Sequence, residues 1–271
     1  MRPIPVSVLI TTYNRPLLLA RMLESVARQT YKNFEVLVVD DRSANLAALQ
    51  KILEPFRKKF KRFRLLRNGR NRGPQFSRNR GIQAARHPLI ALADDDDEWM
   101  PEKLRRQEAI FRKDWEGTDL VYSWFELRNY RKGTRTVFRP RIRGAAFREI
   151  LTHNFFPTSC VMVKRAKLLE AGLFDESLPN AQDWDMWIRL FQMGCSCDFA
   201  PAPLMVYHSH PESISYTRQR GLLILLSKHF PAFLRHHPAG IFKIPFHTAK
   251  RFLGRIRRGL ERCLGFRTGT A

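Results

Sequence analysis

Acid is the scarce charge in this sequence. Lys and Arg number 48 against 25 Asp and Glu, a net charge of +23 over 271 residues, which directs the chain toward anionic partners: nucleotide, nucleic acid or the negatively charged face of a membrane. Cysteine is sparing too. Cys160, Cys195, Cys197 and Cys263 form no metal-binding pattern, because Cys195-x-Cys197 is too tight for the usual paired spacing; free thiols in a reducing compartment are the default. Long apolar runs are missing. The longest candidate, Leu222 to Leu226, stops at Ser227-Lys228-His229, far short of the roughly 20 residues a membrane-spanning helix needs. Met1-Arg2-Pro3-Ile4-Pro5 enters a strand pattern without a signal-peptide core, so a cytoplasmic location is expected. Internal repeats and low-complexity segments are absent as well.

What is present is enough for a sizeable core: 44% hydrophobic residues against 27% charged, in a length that suits one large α/β domain or two small ones. Val6 to Ile10 and Phe34 to Val39 read as strands on either side of a helix over Leu17 to Gln29, with Leu18, Met22, Leu23 and Val26 at helical spacing. That order is a βαβ unit with parallel strands. A helix over Leu46 to Lys61, a strand over Phe63 to Leu66, a helix from Ser77 (as N-cap) to Ala85 and a strand over Leu89 to Ala93 continue the alternation. A doubly wound, mainly parallel sheet follows for roughly the first 115 residues. Beyond it the pattern changes: strands over 119–125 and 136–138 around the turn Lys132-Gly133, a short helix over 147–152, a strand over 159–163, and helices over 165–171 and 183–193 closed by Gly172 and Gly194.

Against the basic background, the little acid there is gathers at predicted strand ends. Asp94 to Asp97 and Glu98 follow Leu89-Ile90-Ala91-Leu92-Ala93 directly. Adjacent carboxylates repel unless a cation offsets them, and magnesium is usually held by one or two carboxylates plus the phosphates of a substrate. Open α/β sheets put their ligands just beyond the carboxyl ends of the strands. Asp40-Asp41 closes the second strand, and Thr11 and Tyr13 close the first, so neighbouring strand ends would bring an aromatic ring, a hydroxyl and two acidic groups together, a set that suits a nucleoside diphosphate. Turn and cap chemistry accounts equally well for Asp40-Asp41 taken alone. Arg72, Arg78 and Arg80 lie on the basic loop and helix that follow the third strand and could donate to diphosphate oxygens. Asp183 in Asp183-Trp184-Asp185 opens a helix, where an acid either caps the N-terminus or serves as a general base.

These residues carry a resemblance. Val6 to Arg15, Ser25-Val26 with Gln29-Thr30, Val38-Val39-Asp40-Asp41-Arg42-Ser43, Asn71-Arg72-Gly73 with Ser77-Arg78-Asn79-Arg80-Gly81, Ala93 to Trp99, Gln182 to Leu190, and Tyr207-His208 with Ser213-Ile214-Ser215 resemble, in order over residues 4 to 215, the family 2 glycosyltransferases of GT-A fold. The resemblance implies inverting transfer of a sugar from a nucleotide-sugar, UDP-linked, to an acceptor hydroxyl, with Mg2+ or Mn2+ on the diphosphate. It places Thr11, Tyr13, Asn14, Asp40, Asp41, Arg78 and Asp95 on the donor, Asp94 and Asp96 on the metal, and Asp183 as the catalytic base. Two positions depart from the family pattern: Arg42 stands where a small residue, often Gly, is usual, and Gln182 where an acid commonly precedes the base.

The expected organisation is therefore a GT-A domain over 1–220, with a nucleotide-binding half to about 115 and an acceptor half after it, and a basic helical extension over 221–271. In that extension Phe242, Phe246, Phe252 and Leu253 interleave with Lys243, Lys250, Arg251 and Arg255, the composition of a helix lying in a membrane interface. An enzyme held at the inner face of the membrane, acting on a saccharide or lipid-linked acceptor in cell-surface polysaccharide, lipopolysaccharide or glycolipid assembly, is the resulting expectation. The competing classes are a nucleotide-sugar binder without transfer activity and a basic nucleic-acid-binding protein. The latter would carry its cations without an acidic cluster at the ligand edge.

Overall fold

Strand β1 (Val6–Thr12) is buried at every position, because parallel neighbours flank it on both sides and helices cover both faces of the sheet. β2 (Phe34–Asp40) and β4 (Leu89–Asp94) pair with it in parallel, and β3 (Phe63–Arg67) extends the sheet beyond β2. Between these strands run α1 (Pro16–Ala27), α2 (Leu46–Lys59) and α3 (Pro74–Ala84). The computed structural model describes residues 2–209 and 224–236. By internal contacts the chain divides into one unit of residues 1–176 and 183–213 and a second of 177–182 and 214–271.

The first unit is built on a single mixed sheet of order β3-β2-β1-β4-β8-β6-β9-β5, with β7 paired to β6. After β5 (Glu98–Trp99) and α4 (Lys103–Lys113), β6 (Leu120–Asn129) and β7 (Thr134–Phe138) form a hairpin; β8 (Met162–Lys164) joins β4 and β6 antiparallel, and the long β9 (Cys197–Ser209) runs parallel to β6. Helices α5 (Phe147–Thr152), α6 (Arg165–Glu170) and α7 (Gln182–Gln192) complete this part. The described portion of the second unit includes α8 (Phe230–His236). The basic extension expected over 221–271 lies outside the described residues except for 224–236.

Two local readings are corrected. Ser77 is no N-cap: α3 starts three residues earlier, with Gly73 at φ +90° and Pro74 at the first helical position, a pairing that proline's fixed φ and missing N–H favour. The stretch 159–163 is only in part a strand, since Thr158–Cys160 forms a 3₁₀ turn before β8. α3 approaches β1 closely through Gly81, where an added Cβ would sit 2.1 Å from Leu9 Cδ1.

Candidate active site

The three central parallel strands end at one edge, in register. Thr12 lies opposite Asp40, and Thr11 opposite Asp94. Strand geometry alone therefore gathers residues from three distant stretches of sequence at the carboxyl edge, as the rule for open α/β sheets requires. Thr11 is buried at this edge, and Tyr13 just beyond it is 43% exposed, a ring face available to a planar ligand. Asn14 has φ +54°. Its N–H donates to Ser43 Oγ at 2.8 Å and its Oδ1 accepts from Ala44 N–H at 2.7 Å, so it ties the loop after β1 to the loop after β2.

Asp40 and Asp41 are both buried but hold different things. Asp40 accepts from Ser43 N–H at 3.0 Å and from Arg67 Nε at 3.0 Å, which fixes the loop after β2 to the end of β3. Asp41 accepts from Asn68 Nδ2 at 2.7 Å, from Arg72 N–H at 3.0 Å and from Gly73 N–H at 2.7 Å. Its carboxylate thus organises the loop that leads into α3. A cleft of about 430 Å³ is lined by Arg67, Arg70, Arg72, Phe76 and Arg80 without an acid.

The four aspartates from the last residue of β4 onward have four different environments. Asp94 accepts from Arg78 Nη2 at 2.5 Å, and its N–H donates to Ser159 Oγ at 2.9 Å. Asp95 is buried, accepts from Thr12 Oγ1 at 2.7 Å and pairs with Arg15 at 3.4 Å. Burial, and next the charge of Asp96, push its carboxyl up to about 7, against the Thr12 bond and Arg15. Asp96 pairs with Arg15 at 2.9 Å, and its backbone carbonyl accepts from Arg21 Nη2 at 2.5 Å. Asp97 is fully buried, and burial followed by the charges of Asp96 and Asp94 holds its carboxyl well above the ordinary range.

Asp183 comes from a distant part of the chain, in the first turn of α7. Its Oδ1 accepts from Trp184 N–H at 2.8 Å and its Oδ2 from Asn154 Nδ2 at 3.0 Å. Burial raises its pKa, and Arg78 and Asp94 lie close enough for their charges to act on it in opposite senses. Arg78 is thus bonded to the acidic turn and near enough to Asp183 for its charge to favour the carboxylate there. Its side chain is 6% exposed, and while Nη2 is bound to Asp94, Nη1 is buried with no hydrogen-bond partner among the described residues. A buried guanidinium N–H without an acceptor is costly and marks a place for an anion.

Arg78 and the acids carry a sequence signal; Thr12, Arg15, Arg21, Asn68 and Asn154 do not. Their partners lie between 27 and 83 residues away along the chain, and no local pattern marks such pairs. Among the described residues no three His, Cys, Asp or Glu side chains form a ready cation cage. The donor set still fits a hard divalent ion: carboxylate oxygens crowded on one turn, with the pKa of Asp95 and Asp97 raised by burial and by the neighbouring charges, is the chemistry a cation relieves.

Comparison with known proteins gives the family. The profile of glycosyl transferase family 2 matches residues 7–172. An uncharacterized glycosyltransferase of Methanocaldococcus jannaschii is 32% identical over 206 residues, 74% of this chain and 70% of that protein. The amylovoran biosynthesis glycosyltransferase AmsB of Erwinia amylovora is 27% identical over 77% of this chain and 71% of its own length. The succinoglycan biosynthesis protein ExoO of Rhizobium meliloti is 29% identical over 86% and 68%. Among solved structures, S. aureus TarS 1-349 in complex with UDP-GlcNAc superposes with a TM-score of 0.69 at 19% identity, covering 93% of this chain and 80% of that one. At that identity the likeness is one of fold.

Proposed function

The chain belongs to glycosyl transferase family 2, and we propose that it moves a sugar from a UDP-linked donor to an acceptor hydroxyl by a single, inverting displacement. The observation that carries this reading is the buried Nη1 of Arg78, without a hydrogen-bond partner among the described residues, on a guanidinium that holds Asp94 and acts by its charge on Asp183. A diphosphate oxygen is the acceptor such a donor calls for. Support for the donor class comes from TarS, solved with UDP and with UDP-GlcNAc. Assembly of a cell-surface polysaccharide is supported by the relatives of amylovoran and succinoglycan biosynthesis; lipopolysaccharide or glycolipid assembly is the same chemistry on another acceptor.

In this reading Thr11, Tyr13 and Asn14 receive the nucleoside. Asp40 and Asp41 act chiefly by holding the loops around it, since their oxygens already accept from Ser43, Arg67, Asn68, Arg72 and Gly73. Asp95 supports Thr12 and Arg15 at the strand end. Asp94 and Asp96 would hold Mg2+ or Mn2+, which when bound supplies Lewis-acid neutralisation of the departing diphosphate. Asp183 takes the proton of the acceptor hydroxyl. Burial suits it to that task, because a raised pKa makes its carboxylate a stronger base. Attack from the side away from the nucleotide inverts the anomeric centre.

No helix among the described residues is long and apolar enough to cross a membrane. Attachment at the inner membrane face belongs to the proposal, from the interleaved basic and apolar residues between 222 and 267. The deciding experiment is a panel of nucleotide-sugars with manganese, read by thermal stabilisation of the protein and by release of nucleoside diphosphate. Stabilisation with release by one donor is expected. Stabilisation without release in the presence of candidate acceptors would make the protein a binder, and neither response to any donor would overturn the reading.

A further inference from the structure

We propose that the β6–β7 hairpin and the segment after it, residues 130–143, dock on an anionic phospholipid surface. Six cations stand in the thirteen residues Arg131 to Arg143: Arg131, Lys132, Arg135, Arg139, Arg141 and Arg143, all exposed. No acid occurs between Glu126 and Glu149. Arg143 pairs with Asp198 at 2.7 Å; the other five have no acidic partner among the described residues. Arg139 and Arg141 lie over the Trp124 ring at 6.0 and 5.7 Å, and Arg143 over Phe199 at 4.6 Å. Trp124 and Phe199 stack at 6.3 Å, so these guanidinium groups are laid out on an aromatic floor. Two further aromatics stand out beside them, Tyr130 at 53% and Phe138 at 42% exposure.

A blander account is edge protection, since among the described residues β7 pairs only with β6 and charged residues keep such edges from pairing with other chains. A single charge would serve that purpose. Here Arg128 and Arg135 are direct cross-strand partners; Glu126 offsets Arg128 at 2.7 Å, while Arg135 has no acidic partner among the described residues and is open to a phosphate. Tyr130 stacks on His208, to which its hydroxyl is bonded at 2.7 Å, and Phe138 on its cross-strand neighbour Phe125, yet both rings stay exposed, and cations mixed with aromatics are the composition of a membrane interface. A single-stranded nucleic acid would need free ring faces for its bases. Trp124 already carries two arginines, and Phe138 stacks on Phe125 at 4.9 Å.

Docking here has a consequence for the site. Val206 of β9 lies opposite Glu126 on one side and Glu98 on the other, and Glu98 directly follows the four aspartates. The hairpin therefore leaves the sheet beside the acidic turn, and lipid contact through it would bring a membrane-borne acceptor toward that edge. The proposal concerns residues 130–143 alone and does not depend on sugar transfer.

The test uses full-length protein and vesicles of one part phosphatidylglycerol to two parts phosphatidylcholine, with pure phosphatidylcholine as control. Arg131→Gln, Lys132→Gln and Arg135→Gln combined should weaken binding to the anionic vesicles about a hundredfold at low salt, from roughly 1 kcal/mol per cation. Replacing both arginines by Lys should preserve binding, and release of nucleoside diphosphate should be unchanged in both variants. Undiminished vesicle binding by the Gln variant would overturn the proposal, as would equal loss in the Lys variant. So would loss only on neutralising Lys250, Arg251 and Arg255, or hairpin-dependent binding of an oligothymidylate without vesicle binding. Failure of every nucleotide-sugar would sink the transfer reading and leave the vesicle result standing.

Discussion

Asn154 donates its side-chain N–H to Oδ2 of Asp183 at 3.0 Å, while its own Oδ1 is buried without a hydrogen-bond partner among the described residues. One oxygen of the proposed base is thus held still beside a vacant acceptor. Asp183→Asn is expected to keep donor affinity and lower transfer by about a hundredfold or more, the usual scale of general-base catalysis. The acid limb of kcat/KM should lie above the ordinary Asp range, because burial raises the Asp183 pKa and activity needs the carboxylate. Asn154→Ala removes a bond that favours the charged form, so it should move that limb to still higher pH. A pH–rate profile of the Ala variant that coincides with the wild type would show that Asn154 does not act on Asp183.

Asp96→Ala tests the metal. The residue is half-buried and paired with Arg15 at 2.9 Å, so its loss removes no core packing and should change stability by about 1 kcal/mol at most. Manganese-dependent turnover should fall to background, and chelation of the wild-type enzyme should do the same and be reversed by added metal. An Asp96→Ala enzyme with the wild-type metal titration would exclude that carboxylate as a ligand.

How much of this could be read in the sequence depended on where the determining contacts lie. The parallel strands were legible because burial on both faces leaves near-continuous apolar runs, as at 6–10, 34–39 and 89–93. β9 was not, since Pro201 and Pro203 interrupt its pattern where its pairing with β6 shifts register between Ser123 and Phe125. β5 has only two residues. The acidic cluster was visible as composition, but what compensates it was not: Arg15 reaches Asp96 from 81 positions away, and Arg78 reaches Asp94 from the neighbouring helix. Asp41 reads as a ligand from its place at a strand end, whereas three donors from the next loop occupy it.

Arg42 illustrates a departure from the family pattern that has a backbone cost. It adopts φ +70°, a conformation that disfavours a side chain by roughly 1–2 kcal/mol and that glycine adopts freely. The side chain is exposed and makes no hydrogen bond or ion pair within the described residues. Arg42→Gly is therefore expected to stabilise the protein by about 1 kcal/mol, the relief outweighing the added entropy of the unfolded chain. Differential scanning calorimetry would show a rise in Tm of a few degrees; a lower Tm would mean that the arginine makes an interaction worth more than the strain.

Lys103 contributes a part of the stability that depends on pH. Its ammonium group is entirely buried at the start of α4, donates to Gln107 Oε1 at 2.8 Å and lies 4.0 Å from the centre of the Trp99 ring. Burial lowers its pKa from 10.5 to about 7. Folding therefore releases a proton between pH 7 and 10.5, and the cost of burying this side chain grows as pH falls through that window, reaching its full value below about 7. Lys103→Met keeps an unbranched side chain of similar reach and removes that cost, at the expense of one hydrogen bond to Gln107, about 1 kcal/mol. A displacement of this size outweighs a single such bond, so the variant should be the more stable at pH 7. Its advantage should shrink steadily toward pH 10, as urea unfolding at a series of pH values would record. A difference between variant and wild type that does not change with pH would show that Lys103 is charged in the folded protein throughout, with Trp99 and Gln107 compensating its burial.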